Sequence, residues 1–294
     1  MILFQMHIMW YEAAMLNETF DSIYSALKYA NNTKVKLCFN SQTYIEKPVK
    51  GSATDMFKVI KNHPLTKIAE ITHKTDNDPF YNIADWRREQ YNSNADYTIW
   101  GESDTLVPHD IFYILENIEI NEPHILTFSS RPMWDNSWDM VTHKKLLGYQ
   151  KPCQCKEDVR NNCSIKNCIE FLESPWKYKD YILQNELDDF NDDEDIEIIK
   201  LNTHKIDGSL LCISKNIPTP FIAPEMHFVR EDTCASIFFQ VKQIPQYHIT
   251  NRLKGHNYWH PQKRTNTEAT RNDNIFKHYA DLSQQSMNKF LQNL

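Results

Sequence analysis

The first 130 residues alternate short apolar runs with amphipathic segments, and no other feature restricts the fold of this chain so strongly. Residues 1–10 form an apolar run broken by Gln5 and His7, which reads as a buried first strand. Asn17-Glu18-Thr19 supplies a helix start, and Phe20, Ile23, Tyr24 and Leu27 follow at helical spacing. Residues 35–39 then read as a second strand, 55–62 as a short helix and 67–72 as a third strand. The pattern continues with a helix over 78–92, a strand over 96–100, a proline-opened helix over 108–118 and a strand over 124–129. Strands alternating with helices predict a mainly parallel sheet covered on both faces.

The middle of the chain breaks this rhythm. Residues 144–200 carry four clustered cysteines, a Trp-Lys-Tyr-Lys-Asp-Tyr segment and an acidic run, and read as an inserted helical, cysteine-containing segment. A strand resumes over 209–213, a proline-punctuated loop covers 218–224, and residues 233–239 and 274–294 have helical patterns. The expected organisation is one α/β domain: a first half over 1–130, a second half over 131–264 and a helical tail over 265–294.

Composition narrows the chemistry. The chain has five glycines, against roughly twenty for average usage. They are too scattered to form a G-x-G-x-x-G fingerprint or a G-x-x-x-x-G-K-[ST] loop, so any nucleotide must be held by another device. The net charge is −7, but residues 186–197 hold eight acids and no Lys or Arg, which leaves the remainder near neutral. A nucleic-acid partner is therefore not expected from the bulk charge, although a local patch stays open. No stretch approaches the ~18 uncharged apolar residues of a membrane helix, and seven cysteines suit reduced thiols. The expectation is a cytoplasmic protein without a transmembrane segment.

The most informative stretch runs from Ala95 to Pro108. An apolar strand delivers Glu102 and Asp104, two positions apart, at its carboxyl end, where open α/β sheets bind ligands. Hard oxygen ligands at that spacing suit Mg²⁺ or Mn²⁺ held together with substrate phosphates. The plainer reading is that both acids cap the helix opened by Pro108.

This stretch resembles the glycosyltransferases of the GT-A fold, in particular the large family 2 group. Ala95 to Asp104 matches in register that family's Gly-x-Tyr-Ile-x-x-x-Asp-x-Asp run, with Glu102 replacing the first aspartate. Trp10-Tyr11-Glu12 stands where the family has a Tyr-Asn-Glu turn, and Asp85-Trp86-Arg87-Arg88 stands near its Ala-Arg-Asn-x-Gly helix. Residues 206–211 are similar to its glycine-containing acceptor strand. Phe228 to Thr233 resembles its Glu-Asp motif.

The resemblance implies a three-layer α/β/α sandwich and a nucleotide diphosphate-sugar donor. It also implies transfer to the hydroxyl of a glycan or other acceptor, with inversion. Tyr11, Glu12, Asn40, Arg87, Glu102, Ser103 and Asp104 would contact the donor. Asp104 with His256 or His260 would hold Mn²⁺ or Mg²⁺, and Asp232 would act as base with Glu231 toward the acceptor. A carboxylate is needed there because a sugar hydroxyl attacks well only as its proton is accepted. The plainer reading of Glu231 and Asp232 is an acid pair complementing a helix dipole.

Trp134 and Trp138 offer rings and polar neighbours suited to an acceptor sugar, or equally a cover for the core edge. Cys153, Cys155, Cys163 and Cys168 are enough for a tetrahedral structural Zn²⁺, though without the common C-x₂-C pair, and unlinked thiols remain the other reading. Two rivals stand beside sugar transfer: a sugar-phosphate nucleotidyltransferase, and a non-catalytic zinc-stabilised binding protein.

Overall fold

A computed structural model describes residues 1–42, 53–130, 143–146, 184–191, 195–257 and 274–294. Trp134, Trp138, His260 and the four cysteines Cys153, Cys155, Cys163 and Cys168 lie outside the described residues.

The architecture is mixed α/β. The strands are β1 (Ile2–Met9), β2 (Thr33–Asn40), β3 (Glu70–Lys74), β4 (Tyr97–Gly101), β5 (Thr105–Leu106), β6 (Ile125–Ser129), β7 (Ile198–Leu201), β8 (Leu210–Ser214), β9 (Gln246–Leu253) and β10 (Gly255–His256). The described helices are α1 (Leu16–Ala26), α2 (Ala53–Asn62), α3 (Pro64–Ile68), α4 (Ile83–Gln90), α5 (Ile111–Asn117), α6 (Gln184–Phe190), α7 (Glu231–Val241) and α8 (Asn274–Leu291).

Eight strands form one sheet in the order β3-β2-β1-β4-β8-β6-β9-β7, and β5 with β10 make a separate ribbon. Strands β1 to β4 are mutually parallel throughout. Beyond them, β8 runs antiparallel between β4 and β6, β9 runs parallel to β6, and β7 closes the edge antiparallel to β9. One sheet thus crosses both halves of the sequence.

Period-two alternation divides the side chains into two cores. On one face Phe4, Met6 and Ile8 of β1, Ile99 of β4 and Leu210 of β8 pack with Leu16, Phe20 and Ile23 of α1 and Phe112 of α5. On the other, Trp100, Leu211 and Ile213 pack with Cys234, Phe238 and Phe239 of α7 and Met287 of α8. The result is the three-layer sandwich with a mainly parallel central sheet. No described helix is long and apolar enough to cross a membrane.

Several boundaries differ from the sequence expectation for local reasons. Pro64 opens α3 with His63 accepting from the Leu65 N–H, so Lys67 is helical and β3 begins only at Glu70. The helix expected over 78–92 is shorter, because Asn82 and Asp85 form a reciprocal capping box that fixes its start. Residues 198–201 belong to the main sheet as β7 rather than to an insertion. Strand β9 escapes a hydropathy reading altogether. Its Gln246, His248, Asn251 and Arg252 are buried but hydrogen-bonded, as with Gln246 Nε2 donating to Thr127 Oγ1 at 2.7 Å.

Candidate active site

Five chain segments meet at the carboxyl end of β4. Gly101 ends that strand because a Cβ there would fall on the Phe4 ring of β1. The turn that follows is pinned from two sides. Thr19 Oγ1 donates to the Ser103 carbonyl at 2.7 Å, and the Asn257 N–H donates to the Asp104 carbonyl at 2.8 Å. The β5/β10 ribbon sets His256 opposite Thr105 and so carries the C-terminal segment back to the acids.

Glu102, Asp104 and His256 consequently present ligand atoms within 4.8 Å of one another. His256 Nε2 lies 3.5 Å from Asp104 Oδ2 and 3.9 Å from Glu102 Oε2. Asp104 and His256 are buried, at 0% and 1% exposure, whereas the Glu102 side chain keeps 20% and marks the open side. Two carboxylates and an imidazole are a donor set suited to Mn²⁺ or Mg²⁺. The chemistry of these residues therefore fits the ion that the sequence resemblance implies.

Beside this cluster lies a cross-link that the sequence does not reveal. Arg87, 1% exposed, donates through Nη1 to Glu231 Oε1 at 2.6 Å and through Nη2 to Glu102 Oε1 at 3.0 Å and the Gly208 carbonyl at 2.6 Å. Its guanidinium also sits 4.5 Å from the centre of the Trp100 ring. Gly208 is required by this approach, since a Cβ would lie 2.7 Å from Arg87 Nη1 and 2.8 Å from Glu102 Oε1. Arg87, one of the expected donor contacts, links the turn after β4, the 208 turn and the start of α7 through these bonds.

Asp232 follows Glu231 at the head of α7, and both carboxyl groups are raised above the ordinary carboxylate range, chiefly by burial. Arg87 opposes the rise, but one guanidinium faces Glu102, Glu231 and Asp232 together, so negative charge is in surplus. Asp232 Oδ1 accepts from the Thr233 N–H at 2.6 Å. The turn before it is strained: Val229 and Arg230 adopt φ of 64° and 65°, a region that a β-branched residue rarely enters.

A second buried pair completes the site. Lys254 Nζ donates to Asp207 Oδ1 at 2.5 Å and to Ser209 Oγ at 2.9 Å. Burial pushes the Asp207 carboxyl up, but Lys254 and His256 outweigh it and hold the group at about 2. The Lys254 ammonium is thereby committed to Asp207 and Ser209.

The remaining donor candidates sit at the ends of β1 and β2. Glu12 Oε2 accepts from the Met9 N–H at 2.9 Å and so caps the turn that follows β1, where the Tyr11 ring stands edge-on to Trp10 at 5.6 Å. Asn40 is fully buried. Its amide nitrogen donates to the Tyr81 carbonyl at 2.8 Å and lies 3.2 Å from His7 Nε2, while its oxygen accepts from the Gln42 N–H at 2.9 Å. Burial, with Arg87 and Lys74 nearby, lowers His7 to about 3, so the ring is neutral and Nε2 accepts. Asn40 thus ties the end of β2 to β1 and to the segment before α4. Ser103 is buried, and its carbonyl is the group bonded by Thr19.

No protein-family model matches the chain, and no curated protein does. Among solved structures, it is similar to the galactosyltransferase LgtC in complex with donor and acceptor sugar analogs. Identity there is 13% over 44% of this chain and 46% of that one, with a TM-score of 0.28. It is similar to the mannosyltransferase PcManGT from Pyrobaculum calidifontis in complex with GDP-Man and Mn²⁺, at 13% identity over 45% of this chain and 36% of that one, TM-score 0.31. A mycobacterial protein aligns over 98% of this chain and 74% of its own at 10% identity, TM-score 0.47. The chain spans less than half the length of either transferase, and the functional reading therefore rests on its own residues.

Proposed function

We propose that this protein is a divalent-metal-dependent glycosyltransferase that moves a sugar from a nucleotide diphosphate-sugar to an acceptor hydroxyl with inversion. The observation that carries the reading is the convergence of Glu102, Asp104 and His256 at the carboxyl end of the sheet, with ligand atoms within 4.8 Å. Asp104 and His256 would hold Mn²⁺ or Mg²⁺, with Glu102 on the open side. Bound there, the ion would supply positive charge to the diphosphate leaving group in place of a glycine loop.

The chain's own part in the reaction is proton acceptance and orientation. Asp232 accepts the acceptor hydroxyl proton as that oxygen bonds to the anomeric carbon and the nucleoside diphosphate departs. A base whose pKa burial has raised is a stronger proton acceptor, and the strained turn at 229–230 aims it. Arg87 fixes Glu102 and Glu231 relative to each other, and the turns after β1 and β2 form the donor side.

The test is transfer from a panel of nucleotide sugars with Mn²⁺, comparing the native chain with Asp232→Asn. The expected result is transfer with inverted anomeric configuration, and a fall in kcat of about a hundredfold or more in the variant at unchanged donor affinity. Full-rate transfer by Asp232→Asn would remove the base assignment, and a retained configuration would contradict inversion.

A further inference from the structure

Asp232 opens α7 from a backbone turn that its own sequence disfavours. Val229 and Arg230 hold left-handed conformations, which persist only where surrounding contacts over-determine them. Those contacts come largely from the C-terminal helix α8. Ser283 of α8, fully buried, accepts from two successive backbone N–H groups just ahead of the strained pair, His227 at 3.1 Å and Phe228 at 3.4 Å.

Other α8 residues grip the same loop. Phe276 packs on Phe228 with ring centres 4.2 Å apart, Tyr279 stacks on Phe80 at 3.4 Å and stands edge-on to His227 at 5.4 Å. Gln284 accepts from Arg230 at 2.8 Å. From the opposite side, the His227 carbonyl accepts from the Ala84 N–H at 2.8 Å and His227 Nδ1 lies 2.9 Å from Asp85 Oδ2. The loop is therefore clamped between α8 and α4, the helix that carries Arg87.

We propose that Ser283 is a positioning residue for Asp232, which makes α8 a working part of the site and not only a cover for the second core. The inference rests on the assignment of Asp232 as the base. Covering the core needs only apolar groups, and Met287 supplies one from the next turn. A buried hydroxyl at Ser283 is otherwise a desolvation cost, offset here by the two amides it receives.

The experiment compares Ser283→Ala, Ser283→Thr and Met287→Ala in the full chain. It follows transfer kinetics, melting temperature and amide hydrogen exchange across residues 227–233. Ser283→Ala should lower kcat by about tenfold or more with donor KM within about twofold, and should speed exchange in that segment by a similar factor. Ser283→Thr keeps the hydroxyl and should restore both. Met287→Ala should lower the melting temperature while kcat stays within about twofold.

Two results overturn the proposal: native kcat and exchange in Ser283→Ala, or losses of kcat that merely follow melting temperature in both alanine variants. If the native chain transfers no sugar, the base assignment fails separately. Exchange then still decides whether Ser283 fixes the turn, and unchanged exchange would refute it.

Discussion

Two kinds of buried carboxylate stand side by side at the carboxyl end of the sheet. Asp207 and Glu231 each face a fixed cation of the protein, Lys254 at 2.5 Å and Arg87 at 2.6 Å. Asp104 is buried as deeply, and the groups beside it include an imidazole at 3.5 Å and a second carboxylate that lies within the same 4.8 Å cluster. The first kind locks chain segments together. The second kind, on the proposed reading, brings ligand atoms together for a divalent cation. Burial alone does not distinguish a structural acid from a functional one; the chemistry of the neighbour does.

The contrast predicts opposite responses to substitution. Lys254→Met strands Asp207 as an uncompensated buried charge and should cost about 3–5 kcal/mol in chemical denaturation; a near-zero change would place Asp207 with the ligand-type acids. Gly208→Ala forces a methyl between Arg87 and Glu102 and should cost about 1–3 kcal/mol by the same measurement, with weakened activity.

Acid titration probes the same pair. Asp207 sits at about 2 in the folded chain against an ordinary 3.8, so its folded pKa is depressed. Its contribution, roughly 2 kcal/mol, is fully present above pH ~4 and is lost as pH falls toward 2. Native-chain stability followed across that window should show the loss, and Lys254→Met should flatten it. Glu12→Ala removes the carboxylate that caps the turn after β1 and should cost about 1 kcal/mol in chemical denaturation, with both kinds of acid site left in place.

Much of the first half of the fold was legible because β1, β4 and β6 are apolar and most of its connections carry a helix. β1 and β4 are buried along their whole length and read as such from residue type alone. Strand β9 was not legible, since its buried Gln246, His248 and Asn251 are satisfied by partners that only the tertiary structure supplies. The same division holds in the site. Glu102 and Asp104 stand out because they are local in sequence at a strand end. The reach of Arg87 to Glu231 spans 144 positions and that of Lys254 to Asp207 spans 47, and no local pattern encodes either.

Asp104 is the residue on which the account turns, and Mn²⁺ binding measures it most directly. Titration of Mn²⁺ into the native chain with a nucleoside diphosphate present, followed by calorimetry or by the Mn²⁺ spin signal, should show one saturable site. Asp104→Ala should weaken it by about a hundredfold or more while the metal-free melting temperature stays unchanged or rises. Native-like Mn²⁺ affinity in Asp104→Ala, or a loss of affinity explained by unfolding of the variant, would contradict a metal centre at Glu102, Asp104 and His256.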